Sequence, residues 1–147
     1  MTEPVRTIAF IGASGLGRAA ADQLARDGRK LVLVGRDPKR LERLAKQLPA
    51  AVVIGADVST IAGIDHAATQ IECAVDHLDA LVNNAGVMIP TRQTTSEGIE
   101  LNFAVHHLAP YSMTSSLLPL LRAGSGRVVN VNSECHRAPL LGAGSPT

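Results

Sequence analysis

The spacing of apolar residues changes period several times along this chain. Thr7 to Ile11 reads TIAFI, an apolar and β-branched run without alternation, and it stops at Gly12, with further glycines at 15 and 17. A run of this kind, ended by glycine, predicts a buried strand that enters a tight turn. From Leu16 the apolar positions take up helical spacing, Ala19, Ala20 and Leu24 set among Arg18, Asp22 and Arg26, and the pattern stops at Asp27-Gly28. Strand has given way to helix. KLVLVG at 30–35 predicts a second strand, Pro38 can open a helix whose Leu41, Leu44 and Leu48 share one face, and Ala51 to Ala56 predicts a third strand. Ile61 to Val75 carries apolar residues at 61, 64, 67, 68, 71, 74 and 75, an amphipathic helix, before a fourth strand at Leu78 to Val82. Gly98 to Leu121 is helical in pattern, with Pro110 predicting a kink or break and Pro119 falling near its end. Arg127 to Val131 predicts strand five, and Glu134 to Thr147, aperiodic and rich in Gly, Pro and Ala, predicts a loose tail.

Strands that are apolar on both faces and alternate with helices predict a parallel sheet covered on both sides. The expected fold is α/β, a Rossmann-like doubly wound parallel sheet of about five strands over residues 1–133, with an irregular tail at 134–147. Right-handed crossovers then place the ligand site at the carboxyl ends of the strands. With 147 residues, the chain can bury one core but not two. Lys and Arg number 14 against 13 Asp and Glu, a net charge of +1 with no basic run, so no electrostatic footprint for nucleic acid or an anionic membrane is expected. No apolar stretch is long enough to span a bilayer and Met1 to Arg6 lacks a secretory layout, so the expected location is the cytoplasm and the expected partner a small molecule. Cys73 and Cys135 are expected as reduced thiols. His106 and His107 are neighbours that a helix points about 100° apart, so no metal site is expected of them.

Gly12-Ala13-Ser14-Gly15-Leu16-Gly17 closes the first strand and opens the first helix. Glycines there let the backbone turn sharply and bring a pyrophosphate close to amide N–H groups at a helix N-terminus. In this context the turn predicts a dinucleotide site. Arg18, one step into the helix, is a further candidate for a phosphate. Selection of NAD uses an acidic residue at the end of the second strand. That place holds Gly35, followed by Arg36, whose guanidinium can pair with a 2′-phosphate, so NADP(H) is expected over NAD(H). Asp37 keeps the alternative open, since a shift of one residue would present its carboxylate instead.

With Asn83-Asn84-Ala85-Gly86 after the fourth strand, the chain resembles the short-chain dehydrogenase/reductases. GASGLGRAAADQLA, LVLVGRDPKRLERLAKQL, GADVS, LDALVNNAGVM and GRVVNVNS follow in the family's order and spacing. The resemblance implies hydride transfer between a nicotinamide and a small-molecule carbonyl or alcohol, and places Asp57, Val58, Asn84, Ala85 and Gly86 by the cofactor. It matches Ser133 to the serine that holds the substrate oxygen, and puts His106 where the family has a proton-relay Asn; Asn102, one turn earlier, is not its equivalent. The family's Tyr-x-x-x-Lys would follow the serine by a dozen or more residues, and the sequence stops before that. Tyr111 is its only tyrosine, and Lys30, Lys39 and Lys46 are its lysines. Ile11 stands where the family has Thr, and the glycine spacing is one residue tighter than its commonest form. The resemblance therefore implies a sheet without the family's C-terminal helix and strands, whose open fifth strand invites a second copy or a partner chain. Two other readings stay open: a non-catalytic dinucleotide-binding or subunit-interaction protein, and a remnant of a longer reductase. Cys135-His136, in the tail, has no third group to orient it as a nucleophile.

Overall fold

The structure, a computed structural model, describes residues 6–133. In chain order they form β1 (Thr7–Ile11), α1 (Leu16–Arg26), β2 (Lys30–Gly35), α2 (Pro38–Gln47), β3 (Val52–Gly55), α3 (Ile61–Ala74) and β4 (Ala80–Asn83). A long loop then leads to α4 (Leu101–Phe103), a π-helical segment (Ala104–Leu108), α5 (Ala109–Ser116), α6 (Leu118–Ala123) and β5 (Arg127–Asn130). The predicted tail, 134–147, lies outside the described residues.

All five strands are parallel, in the order β3-β2-β1-β4-β5. β1 is central and buried at every position, which explains why its sequence is apolar without alternation. Its residues still divide between two cores. Ile8 and Phe10 pack with Leu31, Leu33, Leu41 and Leu44 under α1 and α2, whereas Ala9 and Ile11 join Ile64, Ile71, Leu81 and Met113 under α3 and α5. β5 is the edge strand expected from the sequence, with Val128 and Val129 37% and 41% exposed.

The predicted helix from 98 to 121 is interrupted where its prolines stand. Ala109 N–H donates to Ala104 O, five residues back, so the π turn falls just before Pro110, which has no N–H to give. Leu117, at φ −88° and ψ 6°, then separates α5 from α6 ahead of Pro119. Side chains cap the starts of α2, α3 and α4. Asp37 accepts from the N–H groups of Lys39 and Arg40, Thr60 from Gly63, and Glu100 from Asn102 and Phe103.

Near-zero net charge conceals a division between the two sides of the sheet. Residues 16–51, which supply α1 and α2, hold nine of the 14 Lys and Arg and four of the 13 Asp and Glu, a net +5. Residues 52–133 hold three against seven, a net −4. Among the described residues no helix is long and apolar enough to cross a membrane.

Leu81 is fully buried in the larger core. Leu81→Ala is expected to lower stability by about 2–5 kcal/mol in urea unfolding. A loss below about 1 kcal/mol would show that the α3–α5 layer does not close over β4 as described.

Candidate functional site

The glycine turn is built by a close approach of two main chains. Gly12 has φ +95°, and a Cβ there would come within 2.5 Å of Ala85 N. A side chain is barred twice, by conformation and by space. Gly17 meets a similar bar, since its Cβ would run into the Asn84 amide and Gly12 O. The N–H groups of Gly12 and Ala13 both donate to Val34 O, at 3.0 and 3.1 Å, fixing the turn to the end of β2. Among the described residues, the N–H groups of Ser14 and Gly15 have no protein acceptor. Both stand at the N-terminus of the eleven-residue α1, which has no side-chain cap. Two open donors at a positive helix end suit an anion such as a pyrophosphate.

The end of β4 holds that turn in place. Ile11 O accepts from Asn84 N at 2.9 Å and Ala85 N at 2.6 Å. The Asn84 side chain donates to Gly12 O at 2.6 Å and reaches Ser14 O at 3.2 Å. Asn84 thus acts as a bracket for the turn. Asn83, 5% exposed, donates to Asn130 Oδ1 at 2.8 Å and so ties β4 to β5. Further on, His106 Nε2 lies 2.8 Å from Val87 O and 3.3 Å from Val87 N. One ring nitrogen serves only one of these at a time, donating to the carbonyl when it carries hydrogen and accepting from the N–H when it does not. This contact joins the π-helical segment to the loop after Gly86. Phe103 stacks on His107 one turn away, ring centroids 4.9 Å apart.

The third wall comes from the ends of β2 and β3. Asp37 Oδ1 accepts from Lys39 N at 3.0 Å and Arg40 N at 3.2 Å, so its carboxylate is engaged as the cap of α2. Asp57 Oδ1 accepts from Ser59 N at 3.0 Å. Gly12, Ser14, Arg36, Asp57, Val58, Ala85 and Gly86 line one cleft at the carboxyl ends of the strands. Gly15, Leu16 and Gly17 form the start of α1 beside it, with Leu16 75% exposed. Arg18 departs from expectation: its Nε pairs with Asp22 Oδ1 at 2.8 Å and its Nη2 donates to Gln47 at 2.6 Å, which commits it to the α1–α2 side, outside the cleft. Ser133 and His106 also lie outside the cleft lining; His106 faces a neighbouring hollow with Asn83, Tyr111 and Asn130. Cys135 and His136 fall outside the described residues.

The sequence reading missed two contributors. Arg40 joins Arg36 in the cleft, and its signal was its place in the first turn of the helix that Pro38 opens. Glu97 accepts the N–H of Ile61 with both carboxylate oxygens at 3.0 Å, which closes the start of α3 from 36 residues away. No local pattern announces such a contact.

The family model for short chain dehydrogenases matches residues 6–144. The chain belongs to that family. A retinol dehydrogenase of Homo sapiens, number 13 in its series, is 34% identical over 145 residues, covering 93% of this chain and 44% of that protein. A polyprenol dehydrogenase of Mus musculus is 36% identical over 146 residues, covering 91% and 44%. Among solved structures, a short-chain dehydrogenase from Sphingobium yanoikuyae in complex with NADPH superposes with a TM-score of 0.77 at 30% identity, covering 94% of this chain and 57% of that one. The chain spans about half the length of the curated relatives it matches.

Two outcomes test this architecture. Asn84→Ala removes both side-chain bonds to the glycine turn and is expected to cost about 1–3 kcal/mol in chemical unfolding; no change would mean that the turn holds without its bracket. Glu100 titrates below the usual glutamate range, because the N–H of Phe103 and then that of Asn102 favour its charged form. A carboxyl depressed in the folded state contributes stability above its unfolded pKa and loses it as pH falls through the folded value. Thermal melts of Glu100→Gln should therefore depend less steeply on pH below about 4 than those of the parent. Parallel profiles would remove Glu100 from the acid response.

Proposed function

We propose that this chain is the cofactor-holding part of an oxidoreductase that takes NADP(H) in preference to NAD(H) and acts on a small-molecule carbonyl or alcohol. One observation carries the preference. Where β2 ends, Arg36 and Arg40 line the cleft, and Asp37, which stands between them in the sequence, has one carboxylate oxygen engaged at the start of α2. Two guanidinium groups beside a carboxylate that already accepts from the N–H groups of α2 favour a phosphate on the ribose over bare hydroxyls. The NADPH found in the Sphingobium yanoikuyae relative is consistent with this reading.

The family resemblance and the lining of the cleft support the following roles. Ser14 and Gly15 offer their main-chain N–H groups to the pyrophosphate, and Asp57 and Val58 border the adenine end. Ala85 and Gly86, with no bulky side chain, leave room for the ribose and ring. A bound nicotinamide supplies or takes the hydride. Ser133, past the end of β5, orients the substrate oxygen, and His106, at the family's relay position, can accept and donate a proton.

Calorimetric titration with NADPH and NADH tests the preference. NADPH is expected to bind at least about tenfold more tightly, and Arg36→Ala to erase most of that gap, about 1.5–3 kcal/mol, while leaving NADH unchanged. Equal affinity for the two would overturn the preference, and binding of neither would overturn the cofactor reading itself.

A further inference from the structure

The basic side of the sheet carries a second concave feature, at the opposite end of the strands from the cofactor cleft. A groove of about 480 Å³ runs between the C-terminal halves of α1 and α2. Ala25, Leu31, Leu48 and Ala51 give it an apolar floor, and Arg26 and Arg29 stand on its wall. Its far end is fixed by Arg18, which is paired with Asp22 and donates across to Gln47, so α1 and α2 are bridged at a set separation. Arg26 and Arg29, by contrast, have no ion-pair partner among the described residues.

We infer that this groove docks an acidic segment of a protein partner, one that alternates Asp or Glu with small or branched apolar side chains. The groove's charged lining, Arg18, Arg26 and Arg29 against Asp22, is net positive and draws such a segment in, and Arg26 and Arg29, without an ion-pair partner among the described residues, hold its carboxylates while the floor takes the apolar residues. Other anionic partners suit the groove less well. No aromatic side chain lines it for a nucleic-acid base to stack on. The exposed large apolar side chains of the molecule include only Leu16 from α1 and α2, at the other end of α1, so this face has no anchor to sink into a lipid surface. The inference does not rest on the cofactor reading.

Fluorescence anisotropy with a short labelled peptide of alternating glutamate and leucine tests it, with a lysine–leucine peptide, phosphatidylserine vesicles and single-stranded DNA alongside. The glutamate peptide is expected to bind best, more weakly as salt is raised, and at least about tenfold more weakly to Arg26→Glu/Arg29→Glu. Arg122→Glu, on α6, should leave binding unchanged. If the charge reversal unfolds the chain by circular dichroism, Arg26→Gln/Arg29→Gln serves in its place, with a smaller loss expected. Affinity unaffected by either double variant, equal binding of the lysine peptide, or preference for the vesicles or the DNA would overturn the inference.

Discussion

The carboxyl edge of this sheet depends on one close approach, in which the main chain at Gly12 passes against Ala85 with no side chain between them. Because β1 is central and β4 beside it, their ends must share the same few ångströms. Ile11 O receives two N–H groups from Asn84 and Ala85, and the Asn84 amide reaches past it to Gly12 O and Ser14 O. The open donors at Ser14 and Gly15 are held in place by this joint. A larger residue at 12 would push the strand ends apart, and the cleft would lose its floor before it lost any ligand contact.

Much of this was legible in the order of residues. β1 and β2 run over the residues that their apolar runs predicted, since a strand buried on both faces leaves no ambiguity of face, and α2 opens at its proline. The cleft residues from Gly12, Arg36, Asp57 and Ala85 came together because parallel strands bring their carboxyl ends to one edge. What stayed hidden was partnership across space. Arg18 reads as a phosphate ligand by its place in the first helical turn, but Gln47, 29 residues on, claims it. Asp37 stands at the same turn, and only the geometry of the α2 start shows one of its carboxylate oxygens accepting from Lys39 N and Arg40 N. Glu97 closing α3 and His106 gripping Val87 depend on the course of a long loop, where no periodicity speaks.

His106 illustrates how one side chain can meet two backbone groups and answer only one of them. A side-chain amide carries a donor and an acceptor together, and could answer both the carbonyl and the N–H of Val87 at once. The imidazole nitrogen that faces them answers one. The join between the π-helical segment and the loop after Gly86 thus has two alternative hydrogen-bonding states in this chain, chosen by where the ring hydrogen sits.

The strand order also says something about how the chain comes to be folded. β1 pairs with β2, made some twenty residues later, and again with β4, which follows more than seventy residues behind. Through that interval the first three strands and three helices can assemble while one edge of the fully buried strand waits open. The centre of the molecule is therefore begun first and completed late, and its exposure to wrong pairing lasts as long as the ribosome takes to reach Ala80.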